Sequence, residues 1–264
     1  MVQQPKAISL REVFSSVGLA ITVAVCGVLL WEATVWFFQL PKALLPTPRQ
    51  VFHAAIEQRQ AIIRGTIPTG IAAACGLLAA IVIGSLISVA FSQSRRIRLA
   101  FFPYVVFLQT VPIVAIAPLL IIWSGYQFRT VVIVTVIVCL FPIINNVTAG
   151  LLSINQDLSD LFALYGGSRF KKLIRLQIPT AIPYLMLGAK ISSGLAVIGA
   201  IVAEFFVGNS SSYDGLGTLM TGWQARVKTD ALIAALLAST MLGLLLFGTV
   251  QLVSVTILRR WTRQ

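Results

Sequence analysis

Several polar or charged side chains interrupt long apolar runs of this sequence, and six of them are singled out as candidates. They are Gln109, Thr110, Asn145, Asn146, Lys190 and Glu204. If those runs cross a membrane, such side chains must face other helices or a water-filled path, because lipid offers them no hydrogen bonds. Fourteen helical residues place Lys190 and Glu204 about 21 Å apart, so each needs its own partner. We therefore expect the six to be candidates for a transport pathway, with Lys190 ranked above Glu204 because it lies deeper. Both of these charged residues are expected to have structural or gating roles rather than to choose the substrate.

Residue sets for enzyme or metal chemistry are missing from the sequence. His53 is the single histidine, and Cys26, Cys75 and Cys139 lie inside apolar runs without paired spacing or polar co-ligands. We expect no metal site, because one histidine cannot build one, and we interpret the cysteines as small packing residues. A membrane-embedded enzyme is disfavoured, since the sequence lacks a Ser-His or Cys-His set and paired carboxylates in one loop.

A polar and basic segment at 157–183 separates two of the apolar runs. Residues 153–155 can cap a first short helix, whose apolar side chains recur at three- and four-residue spacing within 158–165. Gly166 and Gly167 then end this helix, because glycine accepts the left-handed backbone of a helix stop. Ser168 can cap a second, basic helix, and Pro179 is expected to end it because proline disfavours interior helical positions. The segment is predicted to form two short helices set at an angle.

Composition places the chain in a membrane. Apolar residues make up 58% of it, charged residues 11%, and the mean hydropathy is +0.92, whereas soluble domains average about 25% charged residues. The net charge is +12, but the basic residues are dispersed between apolar runs, which argues against a nucleic-acid partner. We predict an all-α integral membrane protein, one domain over residues 1–264 in contact with the lipid bilayer.

Six apolar runs are long enough to span a bilayer as helices. They cover about residues 17–38, 66–91, 99–123, 129–152, 183–206 and 231–258. The first run exceeds a signal-peptide core and lacks a cleavage site, so we expect a retained anchor. Between the runs we expect a stiff, extended proline-rich segment at 40–48, an interfacial helix at 51–64 and a turn-rich loop at 208–230.

Small residues and prolines predict how the spans pack. Prolines predict kinks in the third span, at Pro103, Pro112 and Pro118, and in the fourth, at Pro142. In three other spans small side chains recur every four residues, and we expect these ridges to pack helices rather than bind a ligand. The ridges are Ala72, Gly76, Ala80, Gly84 and Ser88; Gly188, Ser192, Ala196 and Ala200; and Ala231, Ala235, Ser239 and Gly243.

The distribution of basic residues predicts the orientation of the chain. Twelve lysines and arginines fall on the side of the 157–183 segment and seven on the opposite side, with Lys190 inside a span. Because cytoplasmic loops carry the excess of lysine and arginine, that side and both termini are predicted to be cytoplasmic.

The polar segment resembles the signature loop of bacterial ABC importer permeases. The family pattern is Glu-Ala-Ala, three residues, Gly, nine residues, Ile-x-Leu-Pro. Asp160, Gly166, Leu176, Ile178 and Pro179 fall at that spacing. Such a match in spacing argues against an ordinary basic loop, which is the alternative for this segment.

The surrounding residues refine the resemblance. Asp160 replaces the glutamate of the pattern, and Leu161 and Phe162 replace its two alanines, so the first helix presents a bulkier surface. Residues 166–170, Gly-Gly-Ser-Arg-Phe, resemble the Gly-Ala-Ser-Arg-aromatic core of one branch. The stretches 109–123 and 202–208 look like the nitrate, sulfonate, taurine and bicarbonate branch, which includes permeases for thiamine-pyrimidine precursors and riboflavin.

The resemblance implies a coupling loop at about 153–179 that docks in a groove on a separate ATPase subunit. The implied partners are a second permease copy, two cytoplasmic ATPase subunits and an external solute-binding protein, in a bacterial inner membrane. The chain lacks a phosphate loop ending in Gly-Lys-Ser/Thr, so ATP and Mg are expected on the partner and no cofactor on this chain. The implied coupling residues are Asp160, Leu161, Phe162, Ala163, Gly166, Gly167, Ser168, Arg169, Phe170 and Pro179.

An ion- or proton-coupled secondary transporter is the alternative function. Lys190 and Glu204 would then be its coupling charges. Such carriers often show paired halves with matching broken helices, and the sequence has no convincing internal repeat. The solute stays open between a small anion and a heterocyclic precursor.

Overall fold

The apolar runs fold into helices, because a helix satisfies its backbone hydrogen bonds within its own segment. The computed structural model describes residues 10–125, 127–207 and 214–261, with side chains for 18–125, 127–207 and 214–259. The helices are α1 (Leu10–Phe38), α2 (Pro48–Glu57), α3 (Arg59–Gln93), α4 (Arg95–Thr110), α5 (Ile113–Ser124), α6 (Phe128–Leu152), α7 (Gln156–Leu164), α8 (Arg169–Lys172), α9 (Ile178–Val207), α10 (Leu216–Ala225) and α11 (Thr229–Trp261), with a π-helical turn, Leu173–Gln177, between α8 and α9. The predicted all-α fold class is confirmed.

Five long apolar stretches of helix can cross a membrane. They lie in α1, α3, α6, the run from α8 through α9, and α11. Helices α4 and α5 are together also long and apolar enough to cross a membrane, although the chain bends by 100° between them. If this pair is counted as one broken span, the described residues contain six spans, the number that the sequence predicts.

The break between α4 and α5 lies at Pro112. Val111 and Pro112 both adopt extended backbone angles, with ψ of 125° and 115°, in keeping with the tendency of proline to disfavour the helical conformation of the residue before it. The other prolines of these spans, Pro103, Pro118 and Pro142, lie inside helices that continue past them. Of the expected kinks, the one at Pro112 became a full break.

The chain divides into two units. One comprises Met1–Arg59 with Trp223–Ala234, and the other Gln60–Gly222 with Ala235–Gln264. In the first unit, Leu44 N donates to Pro41 O at 2.9 Å, so the proline-rich segment makes a turn and the expectation of a stiff, extended segment is wrong. Proline favours such a turn because its φ is already set.

The interfacial helix of the first unit is shorter than predicted. Thr47 caps α2, with Thr47 Oγ1 accepting from Gln50 N at 3.3 Å and Gln50 Oε1 accepting from Thr47 N at 2.9 Å. The helix ends at Glu57 rather than near residue 64, because Gln58 leaves the helical conformation and α3 starts at Arg59. The end of the predicted interfacial helix therefore belongs to the second span.

Helices α6 and α9 pack closely in the second unit. Ser192 Oγ donates to Cys139 O at 3.1 Å, and Cys139 Sγ donates to Ser192 O at 3.4 Å. A Cβ placed on Gly188 would lie 3.1 Å from Pro142 O. All four residues of the second ridge are buried, which agrees with its predicted role in helix packing.

Helix α3 packs against α6 through the first ridge. Its five small residues are all buried. A Cβ on Gly76 would lie 2.5 Å from Thr135 Cβ, and Ser88 Oγ donates to Ile144 O at 3.1 Å. Small side chains therefore permit the backbones of the two helices to approach, as expected for association in lipid.

The third ridge and two cysteines depart from the packing predictions. Ala231 and Ala235 are buried, but Ser239 and Gly243 are half-buried, and a Cβ on Gly243 would meet nothing within 4 Å. Cys139 is buried as predicted, whereas Cys26 and Cys75 are exposed in the described part of the chain. Among the described residues, the last two ridge positions are therefore only partly covered, and Cys26 and Cys75 are not buried as packing residues would be.

The predicted turn-rich loop contains a helix. Residues 208–213 of it lie outside the described residues, but 216–225 form α10. Leu216, Met220 and Trp223 are buried at helical spacing, with exposed fractions of 7% or less. The sequence analysis predicted a loop here because the glycines and polar residues of this stretch are typical of turns, although its apolar residues recur at helical spacing.

Candidate functional site

The loop between α6 and α9 begins with a capped helix. Asn155 Oδ1 accepts a hydrogen bond from Asp157 N at 2.9 Å at the start of α7, as the predicted caps require. Asp160, Leu161 and Ala163 are exposed on α7, while Phe162 is half-buried. The acidic residue of the signature pattern therefore stands in solvent.

The two glycines after α7 form a defined helix stop. Gly166 has a φ of +70°. Its N–H donates to Ala163 O, and the N–H of Gly167 donates to Phe162 O, both at 3.0 Å. These two bonds satisfy the last carbonyls of α7 in the pattern of a Schellman motif. The left-handed turn predicted at Gly166 is present in the structure.

Gly167 has a second, steric reason to be glycine. A Cβ at this position would overlap the ring of Phe162 and lie 2.7 Å from Phe162 O. Phe162 replaces an alanine of the family pattern, so its bulk is accommodated by the absence of a side chain at Gly167. Both residues can be identified in the sequence, but only the structure shows that they are in contact.

A side-chain hydrogen bond joins the two short helices. Ser168 Oγ caps α8 by accepting from Lys171 N at 3.3 Å, and Lys172 Nζ donates to Ser159 Oγ at 2.5 Å. Arg169 and Phe170 are exposed on α8. This hydrogen bond connects α7 and α8 across the glycine turn.

Pro179 does not end the second helix, contrary to the sequence prediction. Helix α8 continues through the π-helical turn into α9, and Ile178 N donates to Leu173 O, five residues back. This wider turn admits Pro179 near the start of α9, where a missing N–H does not interrupt the helix. Helix α8, the π-helical turn and α9 consequently form one unbroken helical run, whereas α7 is separated from it by the glycine turn.

Gln177 anchors the base of the loop, and the sequence analysis missed it. It is buried, its Nε2 donates to Leu151 O at 3.3 Å, and its Oε1 accepts from Gln93 Nε2 at 2.9 Å. These bonds link α3, α6 and the π-helical turn. A lone amide between the apolar residues Leu176 and Ile178 was the signal in the sequence.

Two of the six pathway candidates lie at the break between α4 and α5. Gln109 and Thr110 are exposed and line a cleft of about 390 Å³, whose other walls come from α6 and Leu195 of α9. Thr110 Oγ1 donates to Phe107 O at 2.9 Å, within its own helix. The residues that line this cleft carry no charged side chain.

The two asparagines have different environments. Asn145 is exposed and lines a separate cleft of about 380 Å³, together with Arg98. Asn146 is half-buried, and its Nδ2 donates to Pro142 O at 2.8 Å. The structure therefore does not bring the predicted polar residues together at one site.

Lys190 and Glu204 also differ sharply. Lys190 is half-buried, and within the described residues no hydrogen bond or ion pair of its ammonium group is found. Glu204 is fully buried and accepts from Gly217 N at 2.8 Å, while its Oε2 lies 3.0 Å from Thr69 Oγ1. Glu204 thus has hydrogen-bonding partners on α3 and on α10.

Comparisons with known proteins agree with this geometry. Residues 74–264 match the family described as the binding-protein-dependent transport system inner membrane component. The formylaminopyrimidine transport permease protein ThiX of Halalkalibacterium halodurans is 31% identical over 223 residues, 84% of this chain and 87% of that protein.

Two further relatives cover most of the chain. The riboflavin transport system permease protein RibX of Chloroflexus aurantiacus is 28% identical over 249 residues, 93% of this chain and 90% of that protein. The taurine transport system permease protein TauC of Escherichia coli is 26% identical over 244 residues, with coverages of 89% and 86%. The chain therefore belongs to the binding-protein-dependent transport system inner membrane components, the permeases of ABC importers.

Proposed function

We propose that this chain forms the translocation pathway of an ATP-driven importer and that the loop from α7 through α8 docks on a separate ATPase subunit. The observation that carries the proposal is the apolar surface of this loop. Five large side chains within thirteen residues are 48–85% exposed around the fixed glycine turn. Exposed apolar patches mark protein-binding sites. The five are Leu158, Leu161, Leu164, Tyr165 and Phe170.

ATP and Mg bind to the partner subunit in this proposal. The chain has no phosphate loop ending in Gly-Lys-Ser/Thr, so hydrolysis takes place elsewhere. The assembly contains two permease copies, two ATPase subunits and an external solute-binding protein. Closure of the ATPases moves the two loops and turns the paired bundles between outward and inward openings.

The orientation follows from the basic residues. The side of the chain that holds the α7–α8 loop carries twelve lysines and arginines against seven on the other side. This bias places the loop and both termini in the cytoplasm, and the connection between α9 and α11 on the outer surface.

The uncharged cleft at Gln109 and Thr110 favours a neutral solute. A desolvated anion needs a cationic or strongly donating partner, and no charged side chain lines this cleft. An amide and a hydroxyl among apolar residues suit a hydrogen-bonding heterocycle better than nitrate or a sulfonate. The relatives named for formylaminopyrimidine and riboflavin transport carry solutes of that class.

Co-purification tests the docking surface. Leu164→Asp and Tyr165→Asp each place a charge in the apolar patch, and we expect both to abolish co-purification with the ATPase subunit. Both side chains are at least 84% exposed, so the fold is retained. Val227→Asp is the matched control, since Val227 is 63% exposed in the connection between α10 and α11.

Uptake into proteoliposomes separates this proposal from a secondary transporter. We expect uptake only with the ATPase subunit, the binding protein and ATP. Hydrolysis of ATP by the purified chain alone would contradict the proposal, as would uptake driven by an ion gradient without ATP. Retained co-purification of both aspartate variants would show that the loop is not the docking surface.

A further inference from the structure

Glu204 is the only buried Asp, Glu, Lys, Arg or His among the residues whose side chains the structure describes. It has no exposed surface, although it lies on a helix in an apolar span. A carboxyl group in such a place is tolerated where hydrogen bonds replace its hydration. Those bonds come from Gly217 N, at 2.8 Å, and from Thr69 Oγ1, at 3.0 Å.

Thr69 also contacts the start of α10. Its Oγ1 accepts from Leu216 N at 2.9 Å and also lies 2.9 Å from Gly65 O. Leu216 and Gly217 are the first two residues of α10, and the first N–H groups of a helix have no partner within it. Side chains from α3 and α9 therefore cap α10, where a local residue does so in most helices.

Glycines permit this close contact. A Cβ on Gly217 would lie 2.5 Å from Ile201 O and 2.6 Å from Glu204 Cβ, and a Cβ on Gly215 would overlap the carboxyl group of Glu204. A Cβ on Gly65 would lie 2.7 Å from Leu219 Cδ1. The start of α10 therefore packs directly against the backbones of α3 and α9.

Helix α9 links this contact to the loop at the opposite end of the same span. The run Arg169–Val207 is one helical stretch of 39 residues, which corresponds to about 58 Å at 1.5 Å per residue. Arg169 belongs to the α7–α8 loop, and Glu204 lies one turn before the other end. Rigid secondary elements of this kind can carry energetic coupling between distant sites that both contact them.

We propose that Thr69 and Glu204 form a clamp that makes α10 move with α9, so that motion of the α7–α8 loop reaches the outer connection and the bound solute-binding protein. This inference rests on the proposed function. Glu204 is then a positioning residue, which acts through α10 and not by contact with solute. The clamp transmits the signal in both directions, since coupling between two binding sites is reciprocal.

The test uses the permease assembled with its ATPase subunit and binding protein in nanodiscs. Thr69→Val keeps the shape of the side chain but removes the hydroxyl group, whereas Thr69→Ser retains it. Thr66→Val is the matched control one turn earlier, where the hydroxyl group donates to Ile62 O of its own helix. Basal ATP hydrolysis and its stimulation by loaded binding protein are measured for each variant.

We expect Thr69→Val to reduce the stimulation of ATP hydrolysis by loaded binding protein about tenfold, while basal hydrolysis stays near that of the unaltered complex. The loss of one buried hydrogen bond shifts a two-state equilibrium by about that factor. Thr69→Ser and Thr66→Val are expected to keep the stimulation. Hydrogen exchange gives a second readout: amides of α10 change their exchange on addition of ATP in the unaltered complex, and this response is lost in Thr69→Val.

Three outcomes overturn the inference. Full stimulation of Thr69→Val would show that the clamp transmits nothing. An equal loss of basal and stimulated hydrolysis, or a loss of assembly, would show a purely structural role. Absence of any stimulation in the unaltered complex would overturn the proposed function as well, so the two failures are distinguishable.

Discussion

At the scale of single residues, Gly166 and Gly167 stop α7 for different reasons. Gly166 needs a left-handed backbone, at a φ of +70°, but a Cβ there would meet nothing within 4 Å. Gly167 has no such backbone requirement, yet its Cβ would overlap the ring of Phe162. The turn between α7 and α8 therefore depends on the left-handed backbone of Gly166 and on the absence of a side chain at Gly167.

Alanine at Gly167 is expected to damage coupling more than alanine at Gly166. A left-handed alanine costs about 1–2 kcal/mol, whereas Gly167→Ala forces the backbone away from Phe162 O. Transport by the assembled complex, with limited proteolysis of the loop, measures the difference. Gly248→Ala is the control, since a Cβ there would meet nothing within 4 Å. A more severe defect in Gly166→Ala would contradict this ranking.

At the scale of helices, small residues decide which surfaces meet. The ridge of α3 is buried along its whole length, and the ridge of α9 likewise. The ridge of α11 is buried at Ala231 and Ala235 but not at Gly243. A four-residue repeat of small side chains thus permits a close helix contact without requiring one inside the same chain.

The first ridge yields a stability prediction. Gly76→Ala places a Cβ 2.5 Å from Thr135 Cβ, and overpacking of this kind costs about 1–3 kcal/mol. Thermal unfolding of the purified protein in detergent should therefore occur at a lower temperature for Gly76→Ala than for Gly248→Ala, which makes no close contact. Equal unfolding temperatures of the two variants would rule out the α3–α6 contact described here.

At the scale of the whole molecule, orientation in the membrane determines which loop meets which partner. The α7–α8 loop and the α10 region lie at opposite ends of α9, so they reach different sides of the membrane. The excess of basic residues predicts that the α7–α8 loop lies on the cytoplasmic side.

Cysteine labelling in spheroplasts tests this orientation. In a background with the three native cysteines replaced by alanine, Arg226→Cys is expected to react with a membrane-impermeant maleimide added outside. Arg95→Cys and Lys171→Cys are expected to react only after the membrane is permeabilised. All three side chains are exposed, so burial does not limit the reaction. The reverse labelling pattern would invert the topology.

The sequence by itself determined the class of the protein. Helices α1, α3, α6, α9 and α11 lie where apolar runs predict them, because a backbone in lipid has to bond within its own segment. The helix stop at Gly166 and the caps at Asn155 and Ser168 also follow from local chemistry, since each involves neighbours within a few residues.

Only the tertiary structure decided the features that depend on distant contacts. The sequence predicts that a helix ends at Pro179. In the structure, the π-helical turn accommodates this proline and joins α8 to α9. The sequence predicts that Glu204 needs a partner, but only the fold brings Thr69, 135 residues away, and the start of α10 into hydrogen bonds with it. Polar patterns show that a side chain needs a partner, while the packing of helices determines which residue supplies it.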